Sequence, residues 1–310
     1  MPFDIETSHT SPTGATLKLY VMRAKGSPRG VIQVNHGIAE HAARYRRFAE
    51  AMSARGFHVY AHDHRGHGRT TAPDAPPRMF GNRDGGARVI ADVAAIHDRI
   101  ATEHPGLPVI VFGHSMGGFV ALNFVLRHSA RVQGAAIWNA NFSAGVLGRL
   151  GQAILAYERF RLGSDMPSRM IPKLTFQAWA RQMPDRRTEF DWLSRDPTEV
   201  DKYVADPLCG WDASVSMWRD VFRFVFFGAY DRNFAPVRKD LPFNLVGGHK
   251  DPATNGGEAV RDLQKRMARM GFSRLTTKVY DETRHESLNE LNRNIITGDF
   301  AAWADSVVTP

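Results

Sequence analysis

The stretch VIVFGHSMGG, residues 109–118, decides the reading of this chain. Val109–Phe112 is a short apolar run of the kind that forms a buried strand. Gly113, Ser115 and Gly117 follow at once as G-x-S-x-G, and Gly117–His128 carries a helical pattern. A strand that turns directly into a helix needs a turn so sharp that its central residue is strained. Glycines two residues to either side let neighbouring backbone pass without a Cβ clash. The serine hydroxyl is then held at the strand's end, and the helix aims its first N–H groups at any anion forming there. Ser115 is therefore expected to be a nucleophile; the plainer alternative is a glycine-rich turn without chemistry.

The flanks repeat the alternation. Thr16–Arg23, Val31–Asn35, Phe57–Ala61 and Ala135–Trp138 read as strands, and Tyr45–Arg55 and Gly86–His104 as helices. After residue 240 the pattern resumes with strands Asn244–Gly247 and Thr276–Tyr280 and helices Glu258–Met270 and Glu286–Thr297. Strands alternating with helices predict an α/β fold with a mostly parallel central sheet and helices on both faces. Residues 141–240 differ. They hold 16 of the 32 Phe, Trp and Tyr residues in under a third of the chain, and strand alternation fades. The expected organisation is a core of 1–140 and 241–310, broken by a helical insertion at 141–240. No Lys, Arg, Asp or Glu lies between Glu103 and Arg127, a length that could cross a bilayer. Its two prolines and four glycines favour a buried strand, turn and helix instead.

A serine at its own pKa is a poor nucleophile and needs a base held by a third group. On G-x-S-x-G folds the acid and then the histidine follow the serine in the chain. His128, His249 and His285 follow Ser115. His128 closes the helix after the nucleophile, where an imidazole suits the last turn. His285 lies in a loop after a late strand and is the expected base. Asp251 follows the strand Asn244–Gly247 by four residues, at the correct end. Asp240 precedes that strand, Asp231 falls in the insertion, and Asp281 reads as a solvated loop charge. Asp251 is the expected acid. Acyl transfer also needs N–H donors for a developing oxyanion. The Met116 amide is one, and the loop after Val31–Asn35 suggests the Ile38 amide as the other.

NHGIAEHAARY at 35–45, AHDHRGHGRT at 61–70, GHSMGG at 113–118, the Asp251 loop and RHE at 284–286 together resemble the monoacylglycerol lipase and lysophospholipase group of α/β-hydrolases. The resemblance covers most of 30–140 and 241–290, and Thr70 stands where the group commonly has Ser. It implies Ser115, Asp251 and His285 as a triad and the Ile38 and Met116 amides as the oxyanion hole. It further implies a lid over the acyl site at 141–240, a carboxylic ester as substrate, and neither metal nor organic cofactor.

Two other functions compete. His62, His64 and His67 reproduce an H-x-H-x-x-H metal spacing, but Gly66 stands where such sites carry Asp, and Arg65 and Arg69 flank the cluster. A non-catalytic binding protein on the same fold is the other; it has no need of a complete triad. Within the insertion, Phe142, Trp211, Met217 and Trp218 are candidate pocket residues. Each is weighed evenly against simple packing.

The chain has 310 residues and a formal net charge of +8. Apolar residues at 43% and charged residues at 23% exclude disorder and fibrous classes. The lone Cys209 excludes a disulfide scaffold, reads as buried and inert, and, with Asp4 and Glu6 where a secretory leader needs a basic patch, predicts a cytoplasmic protein. Residues 1–140 carry 16 Lys and Arg against 10 Asp and Glu, the insertion 15 against 13, and the remainder 9 against 9. The excess is scattered, with no basic run, so nucleic acid is not an expected partner. A lipid or small-molecule ester is expected, with peripheral membrane contact at most.

Overall fold

A computed structural model of the chain describes residues 3–143, 145–184 and 186–309. Its centre is one eight-stranded sheet in the order β1-β2-β4-β3-β5-β6-β7-β8. The strands are β1 Ile5–Thr10, β2 Thr16–Met22, β3 Gly30–Asn35, β4 Phe57–His62, β5 Val109–His114, β6 Gly134–Trp138, β7 Phe243–Gly248 and β8 Leu275–Tyr280. β1 and β2 run antiparallel at one edge, and from β4 to β8 every pairing is parallel. β3 through β7 are buried along their whole length, which is why their sequences are continuous apolar runs. β8 alternates between half-buried and exposed along most of its length, as a strand with one partner does. β1 (IETSHT) escapes the sequence reading because its polar residues form an edge ribbon held by pairing with β2.

The helices are α1 Arg46–Ser53, α2 Gly85–Glu103, α3 Met116–His128, α4 Val146–Leu162, α5 Ile171–Leu174, α6 Phe176–Arg181, α7 Pro197–Ala205, α8 Val215–Ala229, α9 Glu258–Arg269 and α10 Arg293–Val308. α2, α3 and α9 cover one face, where Phe124, Val125, Leu245 and Leu263 share a core. α1 and α10 cover the other, where Phe48, Phe112, Trp138 and Phe300 stack edge to face. The expected helices on both faces of a mostly parallel sheet are present.

Between β6 and β7 the described residues form helices and no sheet strand. α8 lies against α2 and α3, and its Met217, Trp218, Val221 and Phe224 join the core. A smaller cluster of Ala180, Trp192, Leu193, Tyr203 and Cys209 packs separately. The expected helix Glu286–Thr297 forms only from Arg293. Glu286 and Glu290 are committed elsewhere. Glu290 accepts hydrogen bonds from Arg195 and from the Arg284 and Leu291 amides, and that geometry stops a helix from starting earlier. No helix among the described residues is long and apolar enough to cross a membrane.

Candidate active site

β5 delivers Ser115 at its carboxyl end. Ser115 has φ 55° and ψ −120°, a strained conformation that the surroundings must impose. The glycines on either side explain how. A Cβ at Gly113 would lie 2.0 Å from the Gly117 carbonyl oxygen, and one at Gly117 2.0 Å from the Asn35 carbonyl oxygen. β3, the turn and α3 therefore approach more closely than any side chain allows.

The structure brings Ser115, His285 and Asp251 into one hydrogen-bonded line. His285 Nε2 lies 2.9 Å from Ser115 Oγ, and His285 Nδ1 lies 3.0 Å from Asp251 Oδ1. A carboxylate only accepts, so Nδ1 carries the proton and Nε2 is left to accept from the serine hydroxyl. Asp251 is fully buried. Burial alone would raise its pKa, but His285, Asn139 and Thr254 together hold it below the usual carboxylate value. Asn139 Nδ2 donates to Asp251 Oδ2 at 3.0 Å, Thr254 Oγ1 donates to the same oxygen at 2.8 Å, and the Ala253 amide donates to Oδ1 at 3.0 Å. Ser287 in turn donates to Asn139 Oδ1 at 3.0 Å. These supports were absent from the sequence reading. Asn139 lies one residue past β6 with φ 49°, and nothing in its sequence context marks it as a support.

Ile38 and Met116 stand beside Ser115 in the wall of an apolar cavity. Met116 begins α3. The Ile38 loop is held from several sides. The Gly37 amide donates to Glu40 Oε1 at 2.5 Å, and Tyr45 donates to the same oxygen at 2.9 Å. Arg44 bridges Glu40 at 2.5 Å and Glu286 at 2.6 and 2.7 Å. Ala39, at φ 55°, offers its carbonyl to the Gly210 amide and the Tyr203 hydroxyl, both at 2.9 Å. The buried His114, next to Ser115, donates through Nε2 to the His285 carbonyl at 2.9 Å. Its own burial opposes a charge, yet the Glu40 carboxylate raises its pKa above the ordinary value. The Glu40, Arg44, His114 and Glu286 network is invisible in sequence because it joins residues up to 242 positions apart.

Two chambers meet at Ser115. One is apolar, about 370 Å³, and is lined by Phe119, Ile154, Ile171, Leu174, Val221 and Phe222 among others. The other, about 240 Å³, carries Glu40, Gln177, Glu189, Asp212 and Glu286 in its wall. Ile38, Ser115, Phe176 and His285 line both. Trp192 packs on the His285 ring with centroids 4.9 Å apart, and Trp179 stands 6.5 Å away. Of the four pocket candidates, Trp218 lines the apolar chamber and Trp211 the polar one. Phe142 and Met217 line neither. Met217 is fully enclosed in the core, and Phe142 packs behind the site on Phe119 and against Gly228. Trp179, Trp192 and Phe176 were missed, because nothing in their spacing separates a pocket aromatic from a packed one.

His62, His64 and His67 are buried but do not converge. The His62 and His64 rings meet edge-on at 4.7 Å and those of His64 and His67 at 6.5 Å. The only group of three or more His, Cys, Asp or Glu among the described residues whose ligand atoms fall within 4.8 Å of one another is His41, Asp206 and Cys209. The histidine loop is tied down by other means. Buried Arg65 pairs with Asp92 at 2.7 Å and Asp74 at 2.9 Å, and His36 Nε2 accepts from the His64 amide at 2.9 Å. Cys209 is buried, and burial pushes its thiol pKa up.

The sequence model of a family described as serine aminopeptidase, S33 matches residues 26–292. A monoacylglycerol lipase of Mycolicibacterium smegmatis is 29% identical over 298 residues, 96% of each chain. A human monoglyceride lipase is 27% identical over 270 residues, 86% of this chain and 78% of its own. A thermostable carboxyl esterase of Bacillus coagulans, solved with glycerol, superposes with a TM-score of 0.87 at 22% identity over the whole of both chains.

Proposed function

The chain belongs to the serine aminopeptidase, S33 family, within the monoacylglycerol lipase-like group of α/β-hydrolases, and from that premise we propose that it cleaves monoacylglycerol- or lysophospholipid-type esters through Ser115, His285 and Asp251. That it is a carboxylic ester hydrolase follows from the family and its relatives. The finer reading rests on one observation: the hydroxyl hydrogen-bonded to His285 stands where an apolar chamber meets a polar one. An acyl chain enters the apolar chamber and the alcohol occupies the polar one, with the ester carbonyl at Ser115.

His285 takes the Ser115 proton through Nε2 as Oγ attacks the carbonyl carbon. The Ile38 and Met116 amides hold the oxyanion, and the start of α3 adds a favourable field. His285 then protonates the leaving alcohol. Water, activated by the same imidazole, cleaves the acyl-enzyme and restores Ser115. Asp251 keeps the proton on Nδ1 and stabilises the imidazolium. Residues 141–240 act as the cap over this site, with α8 anchoring it to the core. A panel of acetyl to palmitoyl esters, monoacylglycerols and lysophospholipids included, tests the reading with Ser115→Ala as control. A preference for acetyl and butyryl esters alone would refute the long-chain substrate while leaving the esterase intact.

A further inference from the structure

The polar chamber carries charge of one sign. Glu40, Glu189, Asp212 and Glu286 stand in its wall, and no Lys or Arg does. That reverses the balance of the whole chain, which has 40 Lys and Arg against 32 Asp and Glu. Two of the four acids are matched: Arg44, outside the wall, bridges Glu40 and Glu286. Glu189 and Asp212 are not. Both are exposed, and among the described residues their carboxylates make no hydrogen bond or ion pair. Arg169 and Lys173 border the next cleft, which shares Asp212, yet neither pairs with it.

Much of the remaining wall is aromatic. Phe176, Phe190, Trp192, Tyr203 and Trp211 all line the chamber. Each unmatched acid adjoins one of these rings in the chain, Glu189 beside Phe190 and Asp212 beside Trp211. The wall already accepts one cation from behind, since the Arg44 guanidinium lies 4.8 Å from the Tyr203 ring centroid. Ring faces and unneutralised carboxylates are what hold an ammonium group, above all a quaternary one that has no hydrogen bond to give. A glycerol hydroxyl also donates to a carboxylate but leaves the charge of the wall standing, and an anionic head is repelled.

We propose that the polar chamber selects a cationic alcohol, so that among acyl esters of equal chain length the protein prefers those of a choline-type amino alcohol to those of neutral or anionic alcohols. This preference rests on the proposed ester function and specifies the alcohol. With the carbonyl at Ser115, the ammonium lies against Phe190 and Trp211, flanked by Glu189 and Asp212. Attack by Ser115 Oγ breaks the ester C–O bond, the departing oxygen takes its proton from His285, and the amino alcohol leaves with its positive charge unchanged. Water then releases the carboxylic acid from Ser115.

Three soluble butyrate esters test the preference on the full chain: butyrylcholine, its neutral isostere with a tert-butyl group in place of the trimethylammonium, and the anionic sulfopropyl butyrate. Dividing each kcat/KM by that ester's rate of alkaline hydrolysis removes differences in intrinsic reactivity. The corrected value is expected to be about tenfold higher for the choline ester than for the isostere, and lowest for the sulfonate. Added salt should shrink the first ratio. Glu189→Gln with Asp212→Asn should bring it close to unity, mainly through KM, and the melting temperature should hold because both side chains are exposed. Trp211→Leu should lower the ratio as well. Calorimetric binding of butyrylcholine to Ser115→Ala reads the same chamber without turnover, and the two acid substitutions should weaken it about tenfold. Equal corrected rates for the choline ester and its isostere, or a ratio and a binding constant that the acid substitutions leave untouched, would overturn the cation preference; Ser115-dependent cleavage of the neutral ester would then leave the ester function standing. Acid-dependent binding of butyrylcholine together with turnover that survives Ser115→Ala condemns the ester reading alone.

Discussion

The imidazole of His114 hydrogen-bonds through Nε2 to the backbone carbonyl of His285 at 2.9 Å, so the residue beside Ser115 holds the residue whose ring reaches the Ser115 hydroxyl. Both side chains are buried. Removing the donor strands a buried carbonyl, which costs roughly 1–3 kcal/mol. His114→Leu is therefore expected to lower stability by that amount and kcat by about tenfold, because small misplacements of a base are costly. His114→Gln, which can still donate, should recover much of both. Thermal melts and ester kinetics on the pair decide the matter; equal loss in Leu and Gln variants would show that the bond itself is not the cause.

Ser115→Ala should reduce ester turnover by roughly 10⁵- to 10⁶-fold, the loss expected when a serine hydrolase is deprived of its nucleophile. Asp251→Asn keeps the shape but offers an amide N–H where the imidazole needs an acceptor, and should cost about 10⁴-fold. Covalent labelling by a fluorophosphonate gives an independent readout. Labelling of Ser115→Ala at the wild-type rate would place the nucleophile elsewhere.

Glu40 touches no substrate atom in the proposed mechanism and acts as a positioning residue for the Ile38 loop. Its carboxylate collects the Gly37 amide, the Tyr45 hydroxyl and Arg44. Glu40→Gln should depress kcat about 10- to 100-fold with a smaller change in KM, since an oxyanion donor serves mainly the transition state. A change confined to KM would argue for a role in binding instead.

The apolar chamber should set chain length. Ile154 lines it on α4, and Ile154→Trp fills space that a long acyl chain would need. Palmitoyl ester turnover is expected to fall at least about tenfold relative to butyryl ester turnover, a few buried methylenes being worth about 0.8 kcal/mol each. Unchanged ratios across the ester panel would show that the chain lies elsewhere.

Acid should unfold this protein through its buried histidines. Burial lowers His36 to a pKa of about 4 and His62 and His67 to about 3, and holds His64 well below the ordinary value. In the unfolded chain each takes a proton near 6.5 while the folded protein does not. Stability is thus full above about pH 6.5 and falls as pH drops from there toward 4 and 3, by up to about 1.4 kcal/mol per pH unit for each imidazole. His114 has the opposite sign. Its pKa is raised, so its contribution is full below about pH 6.5 and is lost as pH climbs through its folded value. Melting temperature measured against pH should slope steeply below neutrality, and His62→Asn should flatten that slope. A melting temperature independent of pH between about 7 and 5 would contradict the assignment.

Much of the site was legible because its logic is local. Strand, G-x-S-x-G and helix are contiguous, and the side of each strand end on which Asp251 and His285 fall follows from counting along the chain. The histidine-rich 62–67 segment, by contrast, looked like a metal motif. Spacing cannot say that those imidazoles fail to bring three ligand atoms together, nor that Arg65 would be drawn inside by Asp74 and Asp92. The four pocket candidates of the insertion, Met217 and three aromatics, divided evenly between chamber and core, since an apolar stripe signals burial without saying what it is buried against.

The sequence alone determined the α/β order of elements and marked Ser115, Asp251 and His285 as the candidate nucleophile, acid and base, because each of those readings depends on backbone period and turn geometry within a few residues. Only the tertiary structure decided what surrounds them. The Glu40–Arg44–Glu286 bridge, the Asn139 and Thr254 support of Asp251 and the two chambers all join residues far apart in the chain. Hydrogen bonds and van der Waals contacts act over a few ångströms of space, whatever the separation along the chain.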